Sequence, residues 1–163
     1  MRLEVVQGDI TEQQVDAVVN AANRAMRGGG GVDGAIHRAG GPRVLEDCRR
    51  RFPHGLGTGE AGWTTAGDLA ATWVIHVVGP DFTAGERDRS LLVSCYANAL
   101  LVADELGART VAFPLVSAGI YGWPKDDAIA AAVDTLRSTA TQVEEARIVA
   151  FDRATYEQVS AAL

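Results

Sequence analysis

The chain alternates short apolar runs with longer segments whose apolar residues recur at helical spacing. A valine-rich run that stops at a turn-forming or polar residue is typical of a buried strand. The strongest run, 73–78, ends at Gly79-Pro80, whereas the pattern over 60–65 is weaker. Six strands are predicted in all, at 3–7, 17–20, 60–65, 73–78, 110–113 and 147–151.

The segments between these strands predict helices. One helical segment is broken by Gly40-Gly41-Pro42, because these residues end one helix and can open the next. Another begins with proline and carries Asp126 and Asp127 beside the positive end of the helix dipole. The predicted helices are 33–39 with 42–51, 90–106, 124–139, and a last one that starts at 153 or 154.

Strands that alternate with helices predict an α/β fold, because near-continuous apolar strands need partners on both faces of their sheet. We therefore expect a three-layer α/β/α sandwich. The 163 residues correspond to about one typical domain. No linker, charge block, low-complexity tract or repeat divides them, so a single domain spanning 1–163 is predicted.

The charge balance argues against long nucleic acid as a partner. Fifteen Lys and Arg stand against 21 Asp and Glu, a net charge of −6, so no overall positive field gathers phosphate backbones. Cys48 and Cys95 show no C-x-x-C spacing and are expected to be reduced, packed thiols. The three histidines are scattered over different predicted elements, so neither a metal site nor a cofactor is expected.

Two features of the chain predict a soluble, cytoplasmic protein. Glu4 and Asp9 interrupt the stretch in which a signal peptide would need apolar residues. In addition, no apolar segment approaches the roughly 18 residues of a membrane span. No apolar surface stripe stands apart from the expected core, and we therefore expect a monomer.

The first loop of interest follows the first predicted strand. Ligands of open α/β sheets collect beyond the carboxyl ends of the strands. Asp9, in Gln7-Gly8-Asp9-Ile10-Thr11, either caps a short helix or accepts a hydrogen bond from an amino group such as that of adenine. The motif alone favours the helix cap and leaves both interpretations open.

The second loop is more specific, because four consecutive glycines follow a strand and precede a helix. Asn20-Ala21-Ala22-Asn23 is followed, after three more residues and Gly28, by Gly29-Gly30-Gly31-Val32-Asp33-Gly34. A backbone without Cβ atoms lets its N–H groups approach an anion, and the helix N-terminus adds a favourable dipole. This pattern predicts a phosphate-binding loop.

Asn23 and Asp33 flank the glycine loop, ten positions apart. An amide that orients hydroxyl groups and a carboxylate that polarises water can together hydrolyse a sugar bond. Asp33 could equally cap the helix, and the spacing does not choose between these roles. His37 shares the helix face of Asp33, where a packing role is favoured over a catalytic one.

The third loop, 114–124, joins the fifth strand to a helix and concentrates small residues around one tyrosine. Backbone donors of Ser117, Ala118 and Gly119 are suited to the second side of a diphosphate, and Tyr121 offers a flat wall for a ribose. Neither the G-x-x-x-x-G-K-[ST] loop of nucleotide triphosphatases nor G-x-G-x-x-G occurs in the chain.

In their order along the chain, these motifs resemble the macrodomain family, specifically its MacroD-type branch. The resemblance extends from Gln7 to about Tyr156. It rests on the motifs Gly8-Asp9-Ile10-Thr11, Asn20-Ala21-Ala22-Asn23, the segment from Gly29 to His37, Thr58-Gly59-Glu60-Ala61, the segment from Val74 to Pro80, and Ser117-Ala118-Gly119-Ile120-Tyr121-Gly122.

The resemblance implies an ADP-ribose pocket on a three-layer α/β/α fold with a mixed, mostly parallel sheet. Asp9 would bond the adenine amino group and Ile10 would line the adenine site, with Phe151 or Asp152 nearby. The distal ribose would meet Asn20, Asn23, Asp33 and Tyr121. The diphosphate would lie between two loops, formed by Gly30, Gly31 and Val32 and by Ser117, Ala118, Gly119, Ile120 and Tyr121.

The resemblance also implies an activity, with ADP-ribose and ADP-ribosylated proteins as partners. Enzymes of this branch remove single ADP-ribose units from acidic side chains of proteins and deacetylate O-acetyl-ADP-ribose. Asn23 would hold the ribose, Asp33 would polarise or position the attacking water, and Tyr121 would complete the catalytic set. The chain departs from the family pattern at Ala118, where threonine is common, and at 51–57, which lacks an expected cysteine.

Other functions remain open at this point. A binding module that reads ADP-ribose without cleaving it would use the same glycine loops. A phosphatase acting on ADP-ribose 1″-phosphate would also hold the diphosphate there. Two related activities fit less well. The poly-ADP-ribose glycohydrolases carry paired glutamates after their glycine run, where this chain has Val32-Asp33. Enzymes that remove ADP-ribose from DNA bases rely on a catalytic lysine, and the only lysine here, Lys125, lies beyond the loop of Tyr121.

Overall fold

The computed structural model describes residues 1–163 and contains six strands and five α-helices. The strands are β1 (Arg2–Gln7), β2 (Ala17–Ala22), β3 (Ala61–Thr65), β4 (Trp73–Val78), β5 (Thr110–Phe113) and β6 (Glu145–Ala150). The helices are α1 (Gly31–Gly40), α2 (Pro42–Arg51), α3 (Arg89–Leu106), α4 (Lys125–Ser138) and α5 (Arg153–Ala162). Two short 3-10 helices cover Ile10–Glu12 and Phe82–Ala84. Each predicted strand and helix is confirmed.

All six strands join one sheet in the order β1-β6-β5-β2-β4-β3. Four of the five strand pairs are parallel, and β3 alone runs antiparallel, beside β4. The mixed, mostly parallel sheet is therefore confirmed. Parallel strands bring their carboxyl ends to the same edge, so the loops that follow β1, β2, β4, β5 and β6 share one end of the molecule.

Side chains alternate between two apolar layers along the central strands. In β2, Val19 belongs to a large cluster that includes residues of α3, α4 and α5, whereas Val18 belongs to a second cluster that includes Ile36 of α1. In β4, Ile75 and Val74 divide in the same way. The sheet is thus covered on both faces, as the near-continuous apolar strands predict.

Element boundaries differ from those predicted by one or two residues, and two of these differences lie beside the loops of interest. Strand β2 continues to Ala22, two residues beyond the predicted end, so that Asn20 lies inside the strand rather than in the loop. Strand β6 covers Glu145–Ala150, and Phe151 follows it. The predicted break between the first two helices is confirmed at Gly41, whose φ of 81° ends α1 directly before Pro42 begins α2.

None of the helices combines the length and the apolar character that crossing a bilayer requires.

Candidate functional site

A cleft of about 270 Å³ lies at the carboxyl ends of β2 and β5, against the start of α1. The glycine loop after β2 and the loop 114–124 after β5 meet there, because β5 and β2 are neighbours in the sheet although Ala22 and Thr110 are 88 positions apart. The lining residues come from the glycine loop, the loop after β5 and the end of β4: residues 21–23, 29–33, 79, 115–117 and 119–121.

The glycine loop presents the amino end of α1 to this cleft. Gly30 is the N-cap and supplies no side-chain hydrogen bond to the helix. The first N–H groups of an α-helix have no intrahelical acceptor, so those of the first turn of α1 are free for a ligand. Gly28 and Gly31 have φ of 90° and 58°, a region that residues with a Cβ rarely adopt. The arrangement suits an anion.

The opposite wall is the loop 114–124, which Tyr96 of α3 fixes from behind. The buried Tyr96 hydroxyl accepts from the Val116 N–H at 2.9 Å and donates to the Pro114 carbonyl at 3.4 Å. None of the backbone hydrogen bonds of the loop uses the N–H of Gly119, Ile120 or Tyr121. The wall opposite the glycine loop therefore carries a second set of N–H groups that no backbone acceptor engages.

Ser117 is the strained residue of this wall. Its φ of 64° lies in the left-handed region, and its Oγ is buried without a hydrogen-bond partner. The hydroxyl packs against Gly79, where an added Cβ would lie 2.3 Å from Ser117 Oγ. Strained backbone and unpaired buried hydroxyls lower the stability of the fold. They concentrate at ligand sites, because proteins keep such features where they serve a function.

Ile120 connects the two walls at the surface. Its side chain is 73% exposed, yet its Cδ1 would lie 3.3 Å from a Cβ added at Gly30 and 3.7 Å from one at Gly31. A large apolar side chain held over bare glycine backbone narrows the mouth of the cleft. The two loops therefore come into contact range at the mouth of the cleft.

Asn23 and Asp33 both reach Gly29 at the inner end of the cleft. An added Cβ at Gly29 would lie 3.2 Å from Asn23 Nδ2 and 3.1 Å from Asp33 Oδ2. Asn23 also braces the loop, donating from Nδ2 to the Gly28 carbonyl at 3.1 Å and accepting from the Met26 N–H at 3.3 Å. The structure thus brings the two flanking residues of the glycine loop together.

The two carboxylate oxygens of Asp33 have different surroundings. Oδ1 accepts from Asn20 Nδ2 at 2.8 Å and lies 3.3 Å from His37 Nε2. No hydrogen bond within the protein uses Oδ2, which faces Gly29. The residue is only 4% exposed but lines the cleft. Asp33 therefore offers one held and one free oxygen, and it caps no helix with its side chain.

Asn20 lies behind Asp33 and not in the cleft. It is completely buried and does not belong to the lining, contrary to the expectation that it meets the ribose. The reason is its place inside β2, where the side chain contacts Asp33 and His76 Nδ1. Sequence reasoning missed this contact, although a polar residue in each of two otherwise apolar strands was the available signal.

Tyr121 stands at the end of the cleft that is nearest the 3-10 helix Phe82–Ala84. Its carbonyl accepts from the Thr83 N–H at 3.2 Å. Burial, followed by the nearby Asp81 carboxylate, raises the pKa of Tyr121, so its hydroxyl is protonated at neutral pH. Close to it, the exposed Arg24 forms an ion pair with the partly buried Glu86 at 3.2 Å.

Asp9, Ile10 and Phe151 lie at the carboxyl ends of β1 and β6, farther along the same edge of the sheet. Asp9 Oδ1 caps the 3-10 helix by accepting from the Thr11 N–H at 2.9 Å, whereas no protein donor engages Oδ2. Ile10 is buried and Phe151 is 82% exposed. None of the three lines the 270 Å³ cleft.

The structure also locates Ala118 and the two cysteines, and it bears on metal binding. Ala118 packs against the large apolar cluster and is absent from the cleft lining. The thiols of Cys48 and Cys95 are buried, and burial raises their pKa to about 11 and about 12. The structure gathers no group of three His, Cys, Asp or Glu side chains that could hold a metal ion.

A second groove, of about 470 Å³, lies at the amino end of β4, at the opposite edge of the sheet. Its walls carry Trp63 and Trp73 together with charged residues of α2. Three of those charges are paired with one another, since Asp47 binds both Arg50 and Arg51, and Arg43 binds Asp68. We assign the chemistry to the smaller cleft, because only there do free backbone donors and a free carboxylate oxygen converge.

Three comparisons place these features among known proteins. The Macro domain family model matches residues 19–132. A Macro domain-containing protein of Streptomyces coelicolor is 58% identical, covering 99% of this chain and 98% of that protein. An O-acetyl-ADP-ribose deacetylase of Salmonella typhimurium is 46% identical, covering 94% and 89%. A Trypanosoma brucei macrodomain solved in complex with ADP-ribose has a TM-score of 0.89 and 36% identity, covering 99% of this chain and 68% of that one.

Proposed function

Because the chain belongs to the Macro domain family, we propose that its cleft binds ADP-ribose and that it hydrolyses an ester at the distal ribose. The acyl group of that ester is an acidic side chain of a protein or an acetyl group. The observation that carries the proposal is the position of Asp33, whose free Oδ2 faces the inner end of a cleft suited to a diphosphate.

The two loops supply the diphosphate site of the proposal. The amino end of α1 contributes free N–H groups and a positive dipole on one side. The unengaged N–H groups of Gly119, Ile120 and Tyr121 face it from the other side. Backbone donors of this kind bind phosphate oxygens without any lysine, which agrees with a cleft that lacks one.

The position of the diphosphate decides which end of the ligand meets which residues. Asp9 and Phe151 lie toward β1 and β6, where a carboxylate oxygen and an exposed ring suit an adenine. Asn23 and Tyr121 lie toward β2, where an amide and a hydroxyl suit the distal ribose. In this orientation the ester at the distal ribose lies beside Asp33.

The proposed reaction is the addition of water across the ester. Asp33 Oδ2 accepts a proton from the water as the water attacks the carbonyl carbon, and this proton passes to the ribose oxygen as the ester C–O bond breaks. The carboxylic acid that forms then ionises. The products are ADP-ribose with a free ribose hydroxyl, a carboxylate and one proton. Asn23 holds the ribose hydroxyl groups, so that the ester and the water stay in line.

Two observations favour a hydrolase over a module that only reads ADP-ribose. A module that only binds ADP-ribose needs no unpaired carboxylate oxygen near the distal ribose. Burying a charge costs free energy, so such an oxygen favours a catalytic role. The Salmonella typhimurium relative, 46% identical, is named an O-acetyl-ADP-ribose deacetylase. Both observations support an esterase of this substrate class.

The proposal is tested with the parent protein and three substrates. They are a protein mono-ADP-ribosylated on glutamate, O-acetyl-ADP-ribose and ADP-ribose 1″-phosphate, with calorimetric titration of free ADP-ribose as the binding measurement. Release of ADP-ribose from either ester supports the proposal. Binding without release indicates a reader, and faster release of inorganic phosphate indicates a phosphatase; either result contradicts the proposal.

A further inference from the structure

A chain of buried polar side chains runs from the cleft into the sheet. Asp33 Oδ1 accepts from Asn20 Nδ2 at 2.8 Å, and the same nitrogen lies 3.0 Å from His76 Nδ1. His76 Nε2 lies 2.8 Å from Thr64 Oγ1, which itself donates to the Thr65 carbonyl at 3.0 Å. Asn20, Thr64 and His76 are completely buried.

Strand register produces this alignment. Asn20 of β2 pairs directly with His76 of β4, and His76 lies opposite Gly62 on β3, two residues before Thr64. The three strands are consecutive in the sheet, so their polar residues form one row on the face that α1 and α2 cover. The row ends at Asp33 because α1 crosses this face of the sheet.

The donors and acceptors of the row follow from the carboxylate at its end. A carboxylate only accepts, so Asn20 must point its NH₂ group at Asp33. The second hydrogen of that group then points at His76 Nδ1, which must be unprotonated. The ring is neutral, since burial, with the nearby His37, lowers the pKa of His76 to about 3. Its one proton is therefore on Nε2 and is donated to Thr64.

One atom of the row is left without a partner. Asn20 Oδ1 is buried and accepts no hydrogen bond. An unpaired buried acceptor lowers stability, and folded proteins rarely keep one without a reason. Both hydrogens of the Asn20 amide are engaged while its oxygen is not, so the arrangement favours orientation of the NH₂ group over complete hydrogen bonding.

We propose that Asn20 and His76 are positioning residues for the hydrolysis: His76 fixes the Asn20 amide, and the amide holds Asp33 Oδ1 so that Oδ2 faces the water. This inference rests on the proposed function, because the row can affect hydrolysis only if Asp33 acts on water. Neither residue touches the substrate. Their effect is on the rate of the chemical step and not on ADP-ribose affinity.

The test compares two variants of His76 with a control in the same strand. His76→Leu removes the acceptor for Asn20, whereas His76→Asn places a carbonyl oxygen where Nδ1 stands. Ile75→Val weakens the core on the opposite face of the sheet and leaves the row intact. Thermal unfolding, the Kd for ADP-ribose and kcat for ester hydrolysis are measured for each.

We expect folded His76→Leu to bind ADP-ribose like the parent and to lose about 10²-fold in kcat, the effect of a misplaced reacting group. His76→Asn recovers most of that loss, and Ile75→Val keeps the parent kcat. An unchanged kcat in folded His76→Leu overturns the positioning role. Absence of hydrolysis by the parent overturns the proposed function itself, so the two failures are distinguishable.

A measurement on the unaltered protein keeps the inference testable if His76→Leu does not fold. The ¹⁵N spectrum of His76 reports which ring nitrogen carries the proton. We expect protonated Nε2 and unprotonated Nδ1 at neutral pH. A proton on Nδ1 would turn the Asn20 amide around and overturn the inference.

Discussion

Asn23 Nδ2 and Asp33 Oδ2 converge on one point above Gly29, which lies between them in the sequence and in space. A methyl group at that position would lie 3.2 Å from the first atom and 3.1 Å from the second. Such distances are too short for relaxed packing, so the absence of a side chain at Gly29 sets how closely the amide and the carboxylate approach.

Gly29→Ala is therefore predicted to impair hydrolysis more than stability. The methyl group displaces Asn23 or Asp33 by a few tenths of an ångström or more, and we expect kcat to fall by about 10- to 100-fold. Gly8→Ala is the control, because its methyl group would only touch Gln13 at 3.6 Å. Steady-state kinetics and thermal unfolding are measured for both variants. Parent activity in Gly29→Ala would show that the close approach of Asn23 and Asp33 is unimportant for hydrolysis.

Ser117→Ala is predicted to change ligand affinity and stability in different directions. The Oγ atom is buried without a partner, so its removal leaves the free energy of unfolding unchanged or raises it slightly. If the hydroxyl binds the diphosphate, its loss weakens ADP-ribose binding by about two- to tenfold. Calorimetry and urea unfolding measure both. Lower stability with parent affinity would mean that the hydroxyl serves the fold alone.

Asp47 gives a prediction about pH. Burial by itself raises the pKa of Asp47, but the Thr65 N–H and the guanidinium groups of Arg50 and Arg51 outweigh it, and the pKa lies below its ordinary value. A lowered pKa in the folded state adds stability above the unfolded pKa, about 3.9 for aspartate. That stability is lost as the pH falls through the lower, folded-state pKa.

Asp47→Asn should therefore cost about 1–3 kcal/mol at pH 7, because Asp47 joins α2 to β3 through charge-assisted hydrogen bonds. The difference from the parent should shrink as the pH is lowered below about 4. Urea unfolding of both proteins between pH 7 and pH 2.5 measures it. A difference that stays constant over this range would exclude the carboxylate charge as the cause.

The strands, the helices and the two loops that line the cleft could be predicted from the sequence. Apolar runs such as 73–78 predict strands because burial on both faces demands them, and Gly41-Pro42 marks a helix break by its backbone chemistry alone. These signals are local, so they can be interpreted without the rest of the chain. The cytoplasmic location and the monomeric state stay predictions.

The position of Asn20 could not be predicted in this way. Whether a polar residue at the end of an apolar run faces a ligand or a buried partner depends on the neighbouring strand and its register. His76 is 56 positions away, and only the pairing of β2 with β4 brings it to Asn20. The same holds for Ala118, whose side chain the loop turns toward the core.

The role of Asp33 as general base is tested by comparing the parent protein with Asp33→Ala. Parent and Asp33→Ala are each mixed with the same glutamate-linked mono-ADP-ribosylated protein at an enzyme concentration that binds all of it. The rate of ADP-ribose release is then measured in a single turnover. General-base help accounts for roughly 10² to 10⁴ in rate, and we predict that loss in Asp33→Ala, with free ADP-ribose still bound. Equal release rates in the two proteins would show that Asp33 is not the general base.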